Sequence, residues 1–338
     1  MKITLFAYSK KGIETARRIM AATEGEFEAY TVERLAGGGF LPLPKPAAPV
    51  YKEAFSASDA VIFVSSCGIA VRSIAPYVKS KTEDPAVIVT DETGRFAISL
   101  LSGHIGGANA LAEKVAAAIG AVPVVTTATD ANGRFSVDSW AKSNGFAIDD
   151  MRAAKAVSAA ILEADVPLVS VFTIHGGLPN GIVSGKSGDI GILLSYKREE
   201  PFQTTLRLIP KCLSVGIGCR RGTSEEAIAR AVAQVFDENY LDVRAVSCAA
   251  SIDLKQDEAG LISYCEDACI PLRFYSAEQL NAVAGEFTAS EFVRKTTGVD
   301  NVCERAAMIG AEELIVKKTE ADGVTVAVAL KKTEVRFE

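Results

Sequence analysis

RFAISLLSGHIGGANALAEKVAAAIG, residues 95–120, reads as a strand, a glycine-rich turn and a helix. The run from Arg95 to Leu101 has strand character, and Leu111, Val115, Ala118 and Ile119 then recur on one face at helical spacing. Gly120 supplies a C-terminal stop, so the helix starts near Gly107 or Ala108. His104, one of the 2 histidines in the chain, falls in the turn just before it. That places it at the carboxyl end of a strand, where open α/β sheets bind ligands. Gly103, Gly106 and Gly107 let backbone approach a ligand closely, and the free amides of the first helical turn favour an anionic group. The opposing reading is a turn that His104 merely pads, with the glycines serving helix–strand packing. Local pattern leaves both open.

The same alternation extends outward on both sides. Strand-like KITLFAY (2–8), a helix near 12–23, FEAYTV (27–32), AVIFVS (60–65), a helix near 69–78 and AVIVT (86–90) precede the quoted stretch, and VPVVTT (122–127) follows it. Such βα alternation predicts an α/β protein with parallel or mixed sheets flanked by helices. The segment LAGGGFLPLPKPAAP (35–49), rich in glycine and proline, is expected to be a loop. Patterning weakens between 131 and 210, where a helix near 151–163 and the strand PLVSVFT (167–173) stand out. A new series opens at LSVGIGCRRGTSEEAIARAVAQVF (213–236), with strands expected at 243–248, 271–275, 313–318 and 324–330 and helices near 257–268, 276–284, 289–296 and 301–310. The expected division is therefore multi-domain: 1–130, a variable middle 131–210, and 211–338.

Composition narrows function. With 49% hydrophobic and 23% charged residues the 338-residue chain is of globular type. Its apolar runs fall far short of the roughly 20 residues that cross a bilayer, and the amino terminus lacks a signal-peptide h-region. A cytoplasmic protein without a membrane partner is expected. The net charge of −6 and dispersed cations argue against a nucleic-acid partner. The 7 cysteines (Cys67, Cys212, Cys219, Cys248, Cys265, Cys269, Cys303) are scattered, and Cys265 and Cys269 have no histidine or second pair nearby. Buried thiols are expected, with no metal site.

Other turns carry further polar residues. SSCGIAV places Ser65, Ser66, Cys67 and Gly68 at a second strand-to-helix junction, where Cys67 is either a thiolate at a helix start or a buried thiol. Asp91 and Asp130 lie in turns. VGIGCRRG contains Gly216, Gly218 and Gly222 in a G-x-G-x-x-x-G register, which departs from the dinucleotide fingerprint and fits a tight turn better. His175 is expected to be structural or on the surface.

Taken together, CGIAVRSIAPYVKSKTEDPAVIVTDETGRFAISLLSGHIGGANALAEKVAAAIGAVPVVTTATD (67–130) resembles the amino-terminal domain of the cobalt-precorrin-5A hydrolases of cobalamin biosynthesis. VGIGCRRGTSEEAI, SIDLKQDEAGL, PLRFYSAEQL, GVDNVCERAA and the closing TVAVA resemble that family's carboxyl-terminal domain. The resemblance implies opening of a δ-lactone on a cobalt-tetrapyrrole and release of the methylated meso carbon as acetaldehyde. It also implies that the cobalt arrives within the substrate, that no further cofactor is needed, and that other corrin-pathway enzymes are candidate partners.

For that chemistry His104 is the expected general acid/base, being the one side chain of the matched segment whose class titrates near neutrality. The Gly106 and Gly107 amides are the expected oxyanion donors, Asn109 orients substrate or water, and Asp91 and Asp130 are candidates for orienting His104 or water. The many carboxylates of the substrate call for local cations: Arg72, Lys81 and Arg95, with Arg220 and Arg221 from the last domain. Ser65, Ser66, Cys67, Gly68, Gly103, Gly216, Gly218 and Glu304 complete the expected substrate-binding set. The rival readings are a non-catalytic tetrapyrrole carrier, which has no use for a titrating His104, and a nucleotide-dependent transferase, which lacks its fingerprint.

Overall fold

The computed structural model describes residues 1–80, 83–104 and 106–337. The chain forms two compact units, Met1–Trp140 and Ala141–Glu338.

In the first unit the elements run β1 (Lys2–Ala7), α1 (Lys10–Ala22), β2 (Glu26–Val32), β3 (Leu41–Leu43), α2 (Ala48–Ala57), β4 (Ala60–Val64), α3 (Cys67–Ile74), β5 (Ala86–Thr90), β6 (Phe96–Leu101), α4 (Ala108–Ile119), β7 (Val122–Val124) and α5 (Ala128–Ala131), and α6 (Val137–Ser143) begins in it and ends in the second. The strands assemble into one 7-stranded sheet in the order β3-β2-β1-β4-β5-β6-β7. Residues alternate between faces along each strand. Ile3, Leu5 and Ala7 meet α1 and α4 through Ile13, Ile19, Leu111 and Val115. Phe6, Phe63, Val87 and Val89 meet α2 and α3 through Phe55, Ala70 and Ile74 on the other face. Both faces are covered, so the central strands are apolar throughout. The segment expected as a loop over 35–49 contains the edge strand β3 and the start of α2. Pro42 fits there because an edge strand can spare a backbone donor.

One reversal matters for the site. Five of the neighbouring pairs are parallel, but β6 runs antiparallel to β5, with Leu101 beside Val87 and Ala97 beside Thr90. The turn after β6 therefore lies at the edge of the sheet where β5 begins. The turns after β1, β4 and β5 lie at the opposite edge. A strand of 6 residues such as β6 spans about 20 Å. The expectation that His104 shares the carboxyl edge of the parallel strands with Ser65–Gly68 is thereby corrected: periodicity reveals a strand and not its direction.

The second unit continues with β8 (Ala147–Ile148), α7 (Met151–Glu163), β9 (Val166–Ser170), β10 (Ile174–His175), β11 (Ile182–Ser184), β12 (Ile190–Leu194) and β13 (Thr204–Ile209). Four of these strands and β8 make a 5-stranded sheet, β11-β9-β12-β13-β8. Then come β14 (Leu213–Cys219), α8 (Glu225–Glu238), β15 (Val246–Ile252), α9 (Ala259–Asp267), β16 (Leu272–Tyr275), α10 (Ala277–Asn281), α11 (Glu291–Thr297), α12 (Val302–Met308), β17 (Glu313–Ala321) and β18 (Val324–Leu330). They form a second 5-stranded sheet, β16-β15-β14-β18-β17, in which β14, β15 and β16 are parallel and β17 and β18 complete an antiparallel edge. The strand expected at 243–248 begins later, at Val246, because Asp242 caps a tight turn over Val243–Ala245 by accepting the Arg244 amide. Ser224 caps α8, with Glu225 and Glu226 in its first turn as the helix dipole favours.

Candidate active site

The turn between β6 and α4 is built by close backbone contacts. Ser102 takes a left-handed conformation, φ 58°, which costs a non-glycine residue free energy, and its buried hydroxyl finds no hydrogen-bond partner among the described residues. A side chain at Gly106 would overlap Ser102, and one at Gly103 would come within 2.6 Å of Asn109 Oδ1. Gly107, with φ 86°, sits in the left-handed region as the helix N-cap. Its amide donates to the His104 carbonyl at 2.9 Å. That amide is already engaged within the turn, which removes it from the expected oxyanion pair. Gly106 keeps its place at the turn.

His104 is held from both sides. Its Nε2 lies 2.7 Å from Asp130 Oδ2 and 3.1 Å from Thr129 Oγ1, and its Nδ1 lies 3.5 Å from Asp138 Oδ1. The side chain is 20% exposed, whereas that of Asp138 is only 4% exposed. Asp138 in turn accepts the Ser136 hydroxyl at 3.1 Å and the Ser139 amide at 3.0 Å. Asn109 is buried on the first turn of α4, where its Oδ1 accepts from Ser99 at 2.7 Å. Its Nδ2 donates to Thr127 Oγ1 at 3.0 Å and Asp130 Oδ2 at 2.9 Å. Thr127 also donates to Asp130 Oδ2. Burial pushes the Asp130 carboxyl up, but donation from Thr127, the His104 contact and charge, and donation from Asn109 outweigh it and hold Asp130 below the usual carboxylate range. The result is a persistent carboxylate fixed against a partly accessible imidazole.

His104, Asn109 and Asp130 are thus brought together as the sequence suggested, with Gly103 and Gly106 shaping the turn. Thr127, Thr129 and Asp138 were not expected. Asp138 lies on α6, beyond the last residue of the matched segment, where no spacing linked it to His104.

Asp91 belongs elsewhere. Its carboxylate accepts the Thr93, Arg95 and Phe96 amides at 3.0, 2.9 and 3.0 Å and the Thr93 hydroxyl, closing its own turn. Burial raises its pKa, and these four donors more than reverse that. The residue is a turn former at the edge opposite His104, which corrects its expected catalytic role. Ser65, Ser66, Cys67 and Gly68 lie at that opposite edge too, after β4, where the Ser65 amide donates to Thr90 O. Cys67 is a half-buried free thiol packed on the aromatic side of the core. Arg72 is exposed and donates to the Gly68 carbonyl at 3.4 Å, and Arg95 is exposed over the Phe96 ring. These residues and His104 lie at opposite edges of the sheet. Lys81 lies outside the described residues.

In the second unit Gly218, Arg220 and Arg221 line a cavity of about 510 Å³ at the carboxyl ends of β14 and β15. Gly216 and Glu304 do not line it. A side chain at Gly216 would overlap the Cys303 carbonyl oxygen, so this glycine lets β14 and α12 pack. Glu304 is fully buried and accepts the Thr288 amide at 2.7 Å and hydroxyl at 2.9 Å, Asn301 Nδ2 at 2.8 Å and the Lys318 amide at 2.6 Å. It organises the wall behind the cavity, so substrate contact is corrected to support for both residues. Among the described residues no group of three or more His, Cys, Asp or Glu side chains is placed to hold a metal ion, and no helix is long and apolar enough to cross a membrane. All 7 cysteines are free, four of them buried, and His175 is exposed on β10.

An imidazole set between two carboxylates at a strained, glycine-built turn of an α/β sheet marks this turn as the candidate site for proton transfer. Residues 49–130 match the family description Cobalamin synthesis G N-terminal, and residues 213–329 match Cobalamin synthesis G C-terminus. The chain is 34% identical over 97% of its length to a cobalt-precorrin-5A hydrolase of Salmonella typhimurium, covering 97% of that protein. It is 32% identical over 96% of its length to one of Priestia megaterium, covering 93% of it. A third relative, Protein CobE of Sinorhizobium sp, is 36% identical over 124 residues, 35% of this chain and 79% of that protein. The chain belongs to the cobalt-precorrin-5A hydrolase family.

Proposed function

We propose that this protein hydrolyses cobalt-precorrin-5A, opening the δ-lactone of the cobalt-tetrapyrrole and releasing the methylated meso carbon as acetaldehyde to leave cobalt-precorrin-5B. The observation that carries the reading is the contact of His104 with Asp130 inside the segment that matches the family, Nε2 2.7 Å from the carboxylate, with Asp138 from the following helix behind Nδ1. Water adds to the lactone carbonyl, the acyl–oxygen bond breaks, and the oxygen left on the meso carbon becomes the aldehyde carbonyl as that carbon parts from the ring. Protons must leave the attacking water and reach the departing groups. His104 carries them, with Asp130 and Asp138 fixing its ring and opposing charge on it. Asn109 positions Asp130. A carboxylate held low in pKa suits a fixed partner for imidazole better than a proton acceptor of its own.

The cobalt belongs to the substrate. The test is incubation of the purified protein with the cobalt-charged lactone tetrapyrrole and an assay for acetaldehyde. Stoichiometric binding without any aldehyde would turn the reading into that of a carrier.

A further inference from the structure

A lysine of the second unit ends on a thiol. Among the described residues the half-buried Lys331 ammonium has no carboxylate within salt-bridge reach, and the acceptor its Nζ meets is Cys248 Sγ at 3.2 Å. The contact is made across the sheet. Cys248 lies on β15 opposite Ser214 of β14, and Lys331 follows β18 on the other side of β14, where its amide donates to the Cys212 carbonyl at 2.8 Å. Two strand spacings, about 10 Å, separate β15 from β18, so the lysine stem passes over the residue of β14 between them. That residue is Ser214, small and 1% exposed, with its Oγ 3.6 Å from the sulfur. The Ser247 hydroxyl approaches Sγ at 3.9 Å. The row sits near the amino-terminal ends of β14 and β15, away from the cavity at their carboxyl ends.

An ammonium partly withdrawn from water is stabilised by a nearby anion. Cys248 is the group placed to become that anion, and the other buried thiols mark the contrast. Burial pushes Cys212 and Cys265 up to about 12 and Cys303 up to about 11. Burial pushes Cys248 up as well, but donation from Ser214, donation and charge from Lys331, and donation from Ser247 outweigh it and bring the thiol below its usual range. A thiolate against a primary amine is a nucleophile with its trapping group already in contact.

We propose that Cys248 and Lys331 form an oxidation-sensitive pair that hydrogen peroxide joins into a reversible sulfur–nitrogen cross-link between β15 and the segment after β18. The Cys248 thiolate attacks peroxide: an S–O bond forms, the O–O bond breaks and hydroxide leaves. Hydroxide takes a proton from the Lys331 ammonium and becomes water. The freed amine attacks the sulfur of the sulfenic acid, so that the S–N bond forms, the S–O bond breaks, and the departing hydroxide takes a proton from nitrogen as a second water. Sulfur is oxidised by two electrons and peroxide is reduced to water. A thiol reductant restores both side chains: its sulfur attacks Sγ, the amine leaves with a proton, and a second thiol releases Cys248. Peroxide reaches the sulfur along Ser247 and Lys331, both of which are half-buried. Neither Cys248 nor Lys331 takes part in the proposed hydrolysis.

The test exposes the full chain to dilute hydrogen peroxide, alkylates the remaining thiols under denaturing conditions and maps the peptides by mass spectrometry. The expected product is a pair of peptides joined through Cys248 and Lys331, lighter than their sum by two hydrogens and separated by dithiothreitol, with Cys212 still alkylated. Lys331→Gln should abolish the join and slow Cys248 oxidation about tenfold or more, since a charge-assisted contact sets the thiolate fraction. Lys331→Arg keeps the cation without a primary amine, so Cys248 should oxidise at close to the wild-type rate and stop at its oxygen adducts. Cys248→Ser should give no joined peptides. Thermal unfolding of each variant matched to wild type secures the comparison. Cys248 oxidising no faster than Cys212, at the same rate in Lys331→Gln as in wild type, or without joining Lys331 in the wild-type chain, overturns the proposal.

Discussion

Removing the His104 imidazole separates catalysis from folding, because the structure bounds both effects. Asp130 Oδ2 loses one of three donors and keeps Asn109 and Thr127, so no carboxylate is left unpartnered. The lost contact is a charge-assisted hydrogen bond, worth roughly 1.5–3 kcal/mol at most, against a total stability of about 5–15 kcal/mol. His104→Ala should therefore remain folded. A general acid/base is worth about a hundred to ten thousandfold in rate, or about 3–5.5 kcal/mol at roughly 1.4 kcal/mol per tenfold. Acetaldehyde release under saturating substrate should fall by that factor, with binding nearly unchanged, since proton transfer is felt in the transition state. His104→Asn keeps a hydrogen-bonding side chain that does not titrate near neutrality. It should be as slow as the alanine variant. Near-wild-type turnover in His104→Asn would refute the assignment.

Asp138→Asn should lower kcat roughly a hundredfold or more while leaving KM close to wild type, because the buried carboxylate orients the ring without reaching substrate; equal kcat values would return Asp138 to a folding role. Arg72→Ala and Arg95→Ala, at the edge opposite His104, should leave turnover and KM within about twofold, and a tenfold rise in KM would show that substrate reaches around the sheet. Gly216→Ala should destabilise the protein by about 1–3 kcal/mol or more in denaturant unfolding, since the added carbon meets a backbone oxygen that cannot rotate away. Asp242, buried between Arg207 at 3.1 Å and Arg244 at 2.7 Å, is pushed up by burial and then brought below the ordinary carboxylate range by the Arg244 contacts and Arg207. A pKa lower in the folded than in the unfolded state gives stability that is present above the unfolded value of about 3.9 and lost as pH falls through the folded one. Urea midpoints should therefore drop below about pH 4, and Asp242→Asn should flatten that drop.

The fold class was legible because covered sheets write apolar strands between helical stripes: AVIFV and AVIVT became β4 and β5 within the ranges expected. What the pattern lacked was direction. RFAISLL is as good a strand antiparallel as parallel, and the DETG turn before it, only 4 residues long, is the one available clue. A parallel neighbour needs a crossover of a dozen residues or more, so a turn this short between adjacent strands demands a hairpin-like reversal. Applied to Asp91–Gly94, that rule sends His104 to the far edge and separates it from Ser65–Gly68 on the sequence alone.

The site was legible to the same degree and for the same reason. His104 and Asn109 were visible because a glycine turn and a helix start lie within the local pattern, and Asp130 because it closes the matched segment. Asp138 was not visible, since its link to His104 runs through space from α6, and nothing in SVDSW marks an aspartate as buried. The consequence is chemical. Asp138 behind Nδ1, with Asp130 and Thr129 at Nε2, sets a fixed group against each ring nitrogen, so the ring plane of His104 is defined from both sides. The strained Ser102 and the glycine-only position 106 fix the backbone that carries His104, and strain of this kind is found where a structure holds a side chain in one geometry.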